Sequence, residues 1–460
     1  MDAAGRDPAA ELGELLRAGR LAEAETLCRT LLIAQPANLG LRINLANIIG
    51  DLGQADEAEA LLRQILAERP DLVEVRYNLA LLLHEERRLD EALAEYDQAL
   101  AMRPDFVLAH NNRGAALRDL GRPAEALEAF GQAVALRGDY AEAQLNQAMC
   151  RLQLGDFVEG WRQYEWRRLT RQGRLEAPAA GVRAWTGQAD LSGRTLLLRG
   201  EQGFGDTLQF CRFVPLVAQK GARVILEVQP GLERLLSRLD GAAEVVAAGR
   251  PHRGFDLWAP LMSLPLALGL TLETIPAETP YLSADPSLAA QWGRRMAGRE
   301  GPRVGLVWAG AARADRTAAA TDRRRSLPLR ALAPLAGAAA TFVSLQKGAA
   351  AAELRQAAAE GWAGPPILDW TAELADFEDT AALVANLDLV ISCDTAVAHL
   401  AGALGKPVWV LNRFDSCWRW LTGRDDSPWY PTARLFRQTV RGEWDDVIER
   451  VAGALAGFGV

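Results

Sequence analysis

The chain has 460 residues, too many for one ordinary hydrophobic core, and its 49% hydrophobic and 24% charged residues are typical of soluble multi-domain proteins. A formal net charge of −8 argues against binding nucleic acid by neutralising its phosphates, although Arg323, Arg324 and Arg325 form a local basic run. Five scattered cysteines with no Cys-x-x-Cys pair read as reduced thiols, which implies a cytoplasmic location and excludes a disulfide framework or a zinc site.

The N-terminal MDAAGRDPAAELGELL lacks the apolar core of a signal peptide, and no apolar run downstream is long enough to span a membrane. A 34-residue period dominates the first third of the chain: Pro36, Pro70 and Pro104 share one register, and Glu23-Ala24, Glu57-Ala58, Glu91-Ala92 and Glu125-Ala126 share another. Gly19, Gly53, Gly121 and Gly155 mark the turn inside each unit, with Arg87 in place of glycine once. Ala46, Ala80, Gly114 and Ala148 supply the small residue where two helices approach closely. This pattern resembles the tetratricopeptide repeat, a helical hairpin that buries its apolar face only by stacking on its neighbours. The solenoid is expected over residues 1–170, with the aromatic cluster Trp161, Tyr164 and Trp166 capping it or packing onto the next domain.

Asn44, Asn78, Asn112 and Asn146 form a further column at the same spacing. Helix propensity does not explain asparagine there, because it is a mediocre helix former. Its amide carries both a donor and an acceptor and matches a peptide unit, so the column is a candidate ladder for an extended acceptor chain. The alternative is that each amide bonds the neighbouring repeat. The column resembles the asparagine ladder of the eukaryotic O-GlcNAc transferase, and that resemblance implies a protein acceptor.

Residues 171–191 read as a linker, after which strand and helix patterns alternate, the mark of an α/β region with a mainly parallel sheet. Strands are expected at 195–200, 222–228, 243–249 and 255–261, with a helix over 206–219. A second set begins at 303–310 and continues with 341–348, 387–394, a helix from Thr395 to Leu404, and 406–412. The proline-bearing IPAETPYLSADP divides two Rossmann-like halves, 192–285 and 286–460, with a cleft expected between them. The segment AARADRTAAATDRR has the composition of a mobile loop.

Two turns carry candidate chemistry. In GEQGFGD, Gly203 and Gly205 permit a tight turn and close approach to a ligand, and Asp206 is placed to take a proton from an attacking hydroxyl or to cap a helix. In CDTAVAH, Asp394, Thr395 and Ala396 open a helix whose free N–H groups favour a diphosphate, the alternative being an ordinary capped core helix. His399, one turn on, either touches the ligand or packs on the sheet. Gln346 and Lys347 end a strand, where the lysine can neutralise a leaving diphosphate or simply be exposed; Arg325 and Ser326 are placed to reach the donor as well. Trp418, Arg419, Trp420, Trp429 and Tyr430 suit either ligand stacking or core packing.

RGEQGFGDTLQF, FVSLQKG, ISCDTAVAHLAGALGKPVWVL and CWRWLTGRDDSPWYP together resemble the GT-B glycosyltransferases, specifically the heptosyltransferase-like group of family 9. The resemblance implies Asp206 as base, a nucleotide-sugar as substrate, and neither a metal nor any other cofactor. The expected architecture is a tetratricopeptide α-solenoid followed by an α/β GT-B fold. Its expected activity is protein O-glycosylation on Ser or Thr, with flagellin as a candidate partner because bacterial flagellin glycosyltransferases share this architecture. Transfer to a glycan or lipid-linked saccharide, and a non-catalytic adaptor, are the competing readings.

Overall fold

The computed structural model describes residues 7–170, 173, 175, 177–178, 181–250, 254–311 and 316–458, and the chain divides into two compact units, Met1–Cys150 and Arg151–Val460. Six residues of the expected linker (171, 172, 174, 176, 179 and 180) lie outside the described ones, as do residues 312–315 of the segment read as a mobile loop.

The first unit is built from helical hairpins: α1 (Pro8–Arg17) with α2 (Leu21–Ala34), α3 (Leu39–Asp51) with α4 (Ala55–Glu68), α5 (Val73–Glu85) with α6 (Leu89–Met102), and α7 (Val107–Asp119) with α8 (Pro123–Leu136). Most of α9 (Ala141–Gln153) completes it. The repeated small residues are the points of closest packing, since Ala24, Ala58, Ala92 and Ala126 are all fully buried. At Gly114 a Cβ would lie 2.8 Å from the Phe130 ring, so this repeat replaces the usual alanine with glycine to admit a phenylalanine. Gly19, Gly53 and Gly121 adopt left-handed φ values of 69°, 83° and 73° at the hairpin turns, and Arg87 takes the same conformation at φ 65°.

The second unit begins earlier than the expected boundary at residue 170. Its first complete helix, α10 (Phe157–Tyr164), is capped by Asp156, which accepts from the Glu159 N–H at 3.3 Å. The helix buries Phe157, Trp161 and Tyr164 against Phe210, Trp418 and Trp429, with Trp161 and Trp418 centroids 5.3 Å apart. This shared aromatic core ties α10 to the second unit.

The rest of the second unit is organised on two all-parallel sheets. The first has the order β1-β5-β2-β3-β4, with β1 Arg183–Ala184, β2 Thr195–Arg199, β3 Arg223–Val228, β4 Ala242–Ala247 and β5 Leu257–Pro260. The second has the order β11-β10-β9-β6-β7-β8, with β6 Arg303–Val307, β7 Thr341–Ser344, β8 Ile367–Asp369, β9 Leu389–Cys393, β10 Val408–Asn412 and β11 Ala433–Arg437. Strands β9 and β10 are buried at every position, as expected of parallel strands covered on both faces. The short strands β1, β8 and β11 lack a sufficient apolar run to be read from sequence.

Around the sheets lie α11 (Phe204–Phe210), α12 (Val214–Ala218), α13 (Glu233–Leu236), α14 (Leu264–Ala267), α15 (Pro286–Met296), α16 (Arg316–Arg325), α17 (Ala352–Ala359), α18 (Phe377–Val384), α19 (Ala396–Ala403) and α20 (Asp445–Ala456). The helix expected over 206–219 is interrupted by a 3₁₀ turn at Cys211–Phe213, just before Pro215, which has no N–H to continue the ladder. Arg316–Arg325 is helical, so alanine's helix propensity overrides the loop-like composition there. Among the described residues no helix is long and apolar enough to cross a membrane.

Candidate active site

Strand order reverses between β2 and β5 in the first sheet and between β6 and β9 in the second. Ligands of open parallel sheets bind at the carboxyl ends of strands flanking such reversals. The loops after β2 and β9 carry the two motifs, Gly200–Asp206 and Asp394–Ala396, and helices α11 and α19 that these loops lead into pack together. A Cβ on Gly205 would lie 2.9 Å from His399 Cδ2 and 3.4 Å from Ala396 Cα. The missing side chain of Gly205 therefore admits this close helix–helix approach. Nor is Gly203 the strained position, since it has φ −90° while Gln202 before it takes the left-handed φ of 59°.

Asp206 caps the start of α11. Its Oδ2 accepts from the Gly203 N–H at 2.8 Å, and its Oδ1 is paired with the Arg419 guanidinium. Arg419 also donates to Gln209 Oε1 at 2.7 Å and stacks on Trp418, with its guanidinium carbon 4.3 Å from the ring centroid. Burial opposes the charge of Arg419, but Asp206, Cys417 and Tyr164 together outweigh it and raise its pKa above the ordinary guanidinium value.

Thr395 caps α19 in extended conformation with its hydroxyl 2.9 Å from Ser392 Oγ. Arg325 donates to the Asp394 carbonyl at 2.7 Å, which brings a guanidinium to this helix start, and to Asp322 at 2.6 Å. Burial works against the Asp394 carboxylate, yet His399, Arg325 and Arg413 together hold its pKa below the usual value. Ser326 accepts from the Gly310 N–H at 3.0 Å and fixes the turn after β6.

His399 is buried, 3.0 Å from the Tyr430 hydroxyl through Nδ1, and stacks on Trp420 at 5.5 Å with 14° between the planes. Burial pushes its pKa down to about 3, so the ring is neutral and acts as packing with a polar edge. Trp418, Trp420, Trp429 and Tyr430 are likewise buried.

Gln346 and Lys347 are engaged within the protein. The Gln346 amide accepts from the N–H groups of Trp308 and Ala309 at 3.0 and 2.8 Å, and donates to the carbonyls of Ala309 and Lys347 at 3.0 and 2.9 Å. It clamps the carboxyl ends of β6 and β7. The Lys347 ammonium donates to the carbonyls of Thr371 and Leu374 at 2.7 and 2.8 Å, so two of its three protons tie down the loop after β8.

In the first unit the asparagine column is divided. Asn112 donates to the Tyr77 hydroxyl at 2.7 Å, and Asn146 donates to Asn111 at 3.1 Å and accepts from Arg118 at 2.9 Å. These two amides bond the preceding repeat, because tyrosine, asparagine and arginine stand within reach. Asn44 and Asn78 are half-buried and have no side-chain partner among the described residues. The partnerships of Glu201 and Gln209 are not readable from sequence. Glu201 stands inside the GEQGFGD motif, but its partners are distant in the chain and no local pattern signals them.

Residues 15–71, 51–111 and 107–140 match tetratricopeptide repeat families, and residues 331–414 match glycosyltransferase family 9 (heptosyltransferase). The last match includes Gln346, Lys347, Asp394, Thr395, Ala396 and His399. Protein FlbA of Caulobacter vibrioides (strain ATCC 19089 / CIP 103742 / CB 15) is 33% identical over 338 residues, 68% of this chain and 54% of FlbA, so the chain spans about half the length of that relative. Solved structures similar to part of the chain include MamA AMB-1, at 24% identity and a TM-score of 0.32 over 36% of this chain and 98% of that one. A tetratricopeptide repeat protein from Parabacteroides merdae ATCC 43184 is 22% identical with a TM-score of 0.31, over 35% of this chain and 63% of that one. The chain thus carries tetratricopeptide repeats over residues 15–140 and, over residues 331–414, a segment that matches glycosyltransferase family 9 (heptosyltransferase).

Proposed function

We propose that this protein is a glycosyltransferase that moves a sugar from a nucleotide-sugar donor to a Ser or Thr hydroxyl of a protein acceptor. The observation that supports the reading is the packing of α11 on α19, which brings the Asp206 turn close to the start of α19. In the proposed step Asp206 takes the proton of the acceptor hydroxyl as its oxygen bonds the anomeric carbon. The bond from that carbon to the donor phosphate breaks, and the leaving phosphate carries the electron pair. The N–H groups of α19 and the Arg325 guanidinium receive that charge, each being more effective in a site that excludes water. Lys347 is assigned a supporting role through the 371–374 loop.

The first unit supplies the acceptor groove in this reading, with Asn44 and Asn78 offering free amides to an extended chain. Flagellin is the first acceptor to try. Intact-mass analysis of flagellin and other candidates, produced with the wild-type protein and with Asp206→Asn, tests the proposal. A sugar-sized mass increment that disappears with Asp206→Asn is expected. An increment that persists unchanged removes Asp206 as base, and the absence of sugar-nucleotide turnover with any acceptor favours an adaptor.

A further inference from the structure

The loop that carries Asp206 is held from behind by a buried cluster with no part in the proposed proton transfer. Arg167 is 1% exposed and all five of its N–H groups are used. Nε and Nη2 donate to the two oxygens of Glu201 at 3.1 and 2.7 Å, and Nη2 also donates to Ser263 Oγ at 2.8 Å. Nη1 donates to the Tyr164 carbonyl at 3.2 Å and to Glu165 at 2.7 Å. Glu165 accepts from Ser263 Oγ at 2.7 Å, and Glu201 accepts from the Met262 N–H at 3.2 Å. Every member is satisfied, and the paired fork of Arg167 on Glu201 fixes direction as well as distance.

We infer that Arg167 is a positioning residue for Asp206, acting through Glu201. The residue after Glu201 is Gln202, whose left-handed φ of 59° is unfavourable for a side chain with a Cβ and persists only where its surroundings over-determine it. Glu201 is clamped on one side of Gln202. On the other, the Gly203 N–H meets Asp206 Oδ2 at 2.8 Å. Release of Glu201 lets Gln202 relax to negative φ, which turns the Gly203 N–H away and frees the Asp206 carboxylate to rotate. A lysine at 167 keeps the charge but cannot form the fork.

The inference rests on the proposed transfer reaction, and its test separates the two. Full-length wild type, Arg167→Lys, Glu201→Gln and the apolar double variant Arg167→Met/Glu201→Met are compared in sugar-transfer kinetics, thermal unfolding and amide hydrogen exchange over Gln202–Thr207. Expected for the single variants are a kcat at least tenfold lower with KM for the donor unchanged, and faster exchange in that segment. The double variant recovers thermal stability, because no buried charge is left unpaired, yet keeps the low kcat. Wild-type kcat in the single variants, or recovery of kcat together with stability in the double variant, overturns the inference. If the wild type transfers no sugar, the transferase reading fails and exchange alone decides: faster exchange in folded Arg167→Lys upholds the clamp, and unchanged exchange refutes it.

Discussion

Asp206 and Arg419 form an ion pair between the two halves of the second unit, one from the helix after β2 and the other from the segment between β10 and β11. Neither is well exposed, with side-chain exposures of 18% and 10% for Asp206 and Arg419. Replacing Arg419 by Met leaves Asp206 without its cation and Gln209 without its donor. Stability is expected to fall by about 2 kcal/mol, a value discounted for the partial exposure of Asp206. Sugar transfer is expected to fall by about 100-fold, because the carboxylate is no longer aimed. Urea unfolding and single-turnover kinetics read the two effects separately.

His399 makes stability depend on pH with a definite sign. The unfolded chain protonates this imidazole near pH 6.5, whereas the folded protein resists protonation down to about 3. The stabilisation is complete above pH 6.5 and is lost as pH falls through that window, amounting to about 3 kcal/mol by pH 4. His399→Gln retains a hydrogen-bonding edge toward Tyr430 but does not titrate. The difference in urea midpoint between variant and wild type is expected to change steadily from pH 7 to pH 4, and a constant difference would contradict a buried neutral ring.

Gly205→Ala drives a methyl group into His399 and the α19 backbone. Overpacking of this kind costs about 1–3 kcal/mol, and here it also pushes apart the starts of α11 and α19. Gly203→Ala is the matched control, since its Cβ would meet only Asp206 Oδ2 at 3.4 Å and φ is −90°. Thermal unfolding is expected to separate them, with Gly205→Ala clearly the lower. Equal midpoints would show that the close approach is not what the glycine serves.

The asparagine column is expected to divide by function. Asn112→Ala and Asn146→Ala break bonds between repeats and should lower stability by about 1 kcal/mol each. Asn44→Ala and Asn78→Ala should leave the unfolding midpoint unchanged and weaken capture of the acceptor protein. Binding titrations beside thermal melts check this, and equal loss of capture from all four sites would argue that the structural bonds of Asn112 and Asn146 give way to the acceptor.

Much of the architecture is legible because its signals are local or periodic. The repeat columns identify the helical hairpins at once, and the long apolar runs at 223–228, 389–393 and 408–412 read directly as buried parallel strands. The two-residue β1 and three-residue β8 are not legible, since so short a segment carries no period. The Arg316–Arg325 helix reads as a loop because alanine-rich polar segments look alike in the two states. Within the candidate site, the helix starts at Asp206 and Thr395 are visible as strand–turn–helix punctuation.

The roles of those residues are another matter. Sequence by itself determined the solenoid, the two α/β halves and the turns on which chemistry is expected, because spacing along a chain dictates which residues share a helix face or strand. Only the tertiary structure decided that His399 is a neutral core ring, that Lys347 and Gln346 are tied to backbone groups, and that Asp206 answers to Arg419. The partner of Arg419 lies 213 residues away, and Arg167 reaches Glu201 across the linker. A side chain's charge state and freedom depend on burial and on such distant partners, and no local pattern encodes either.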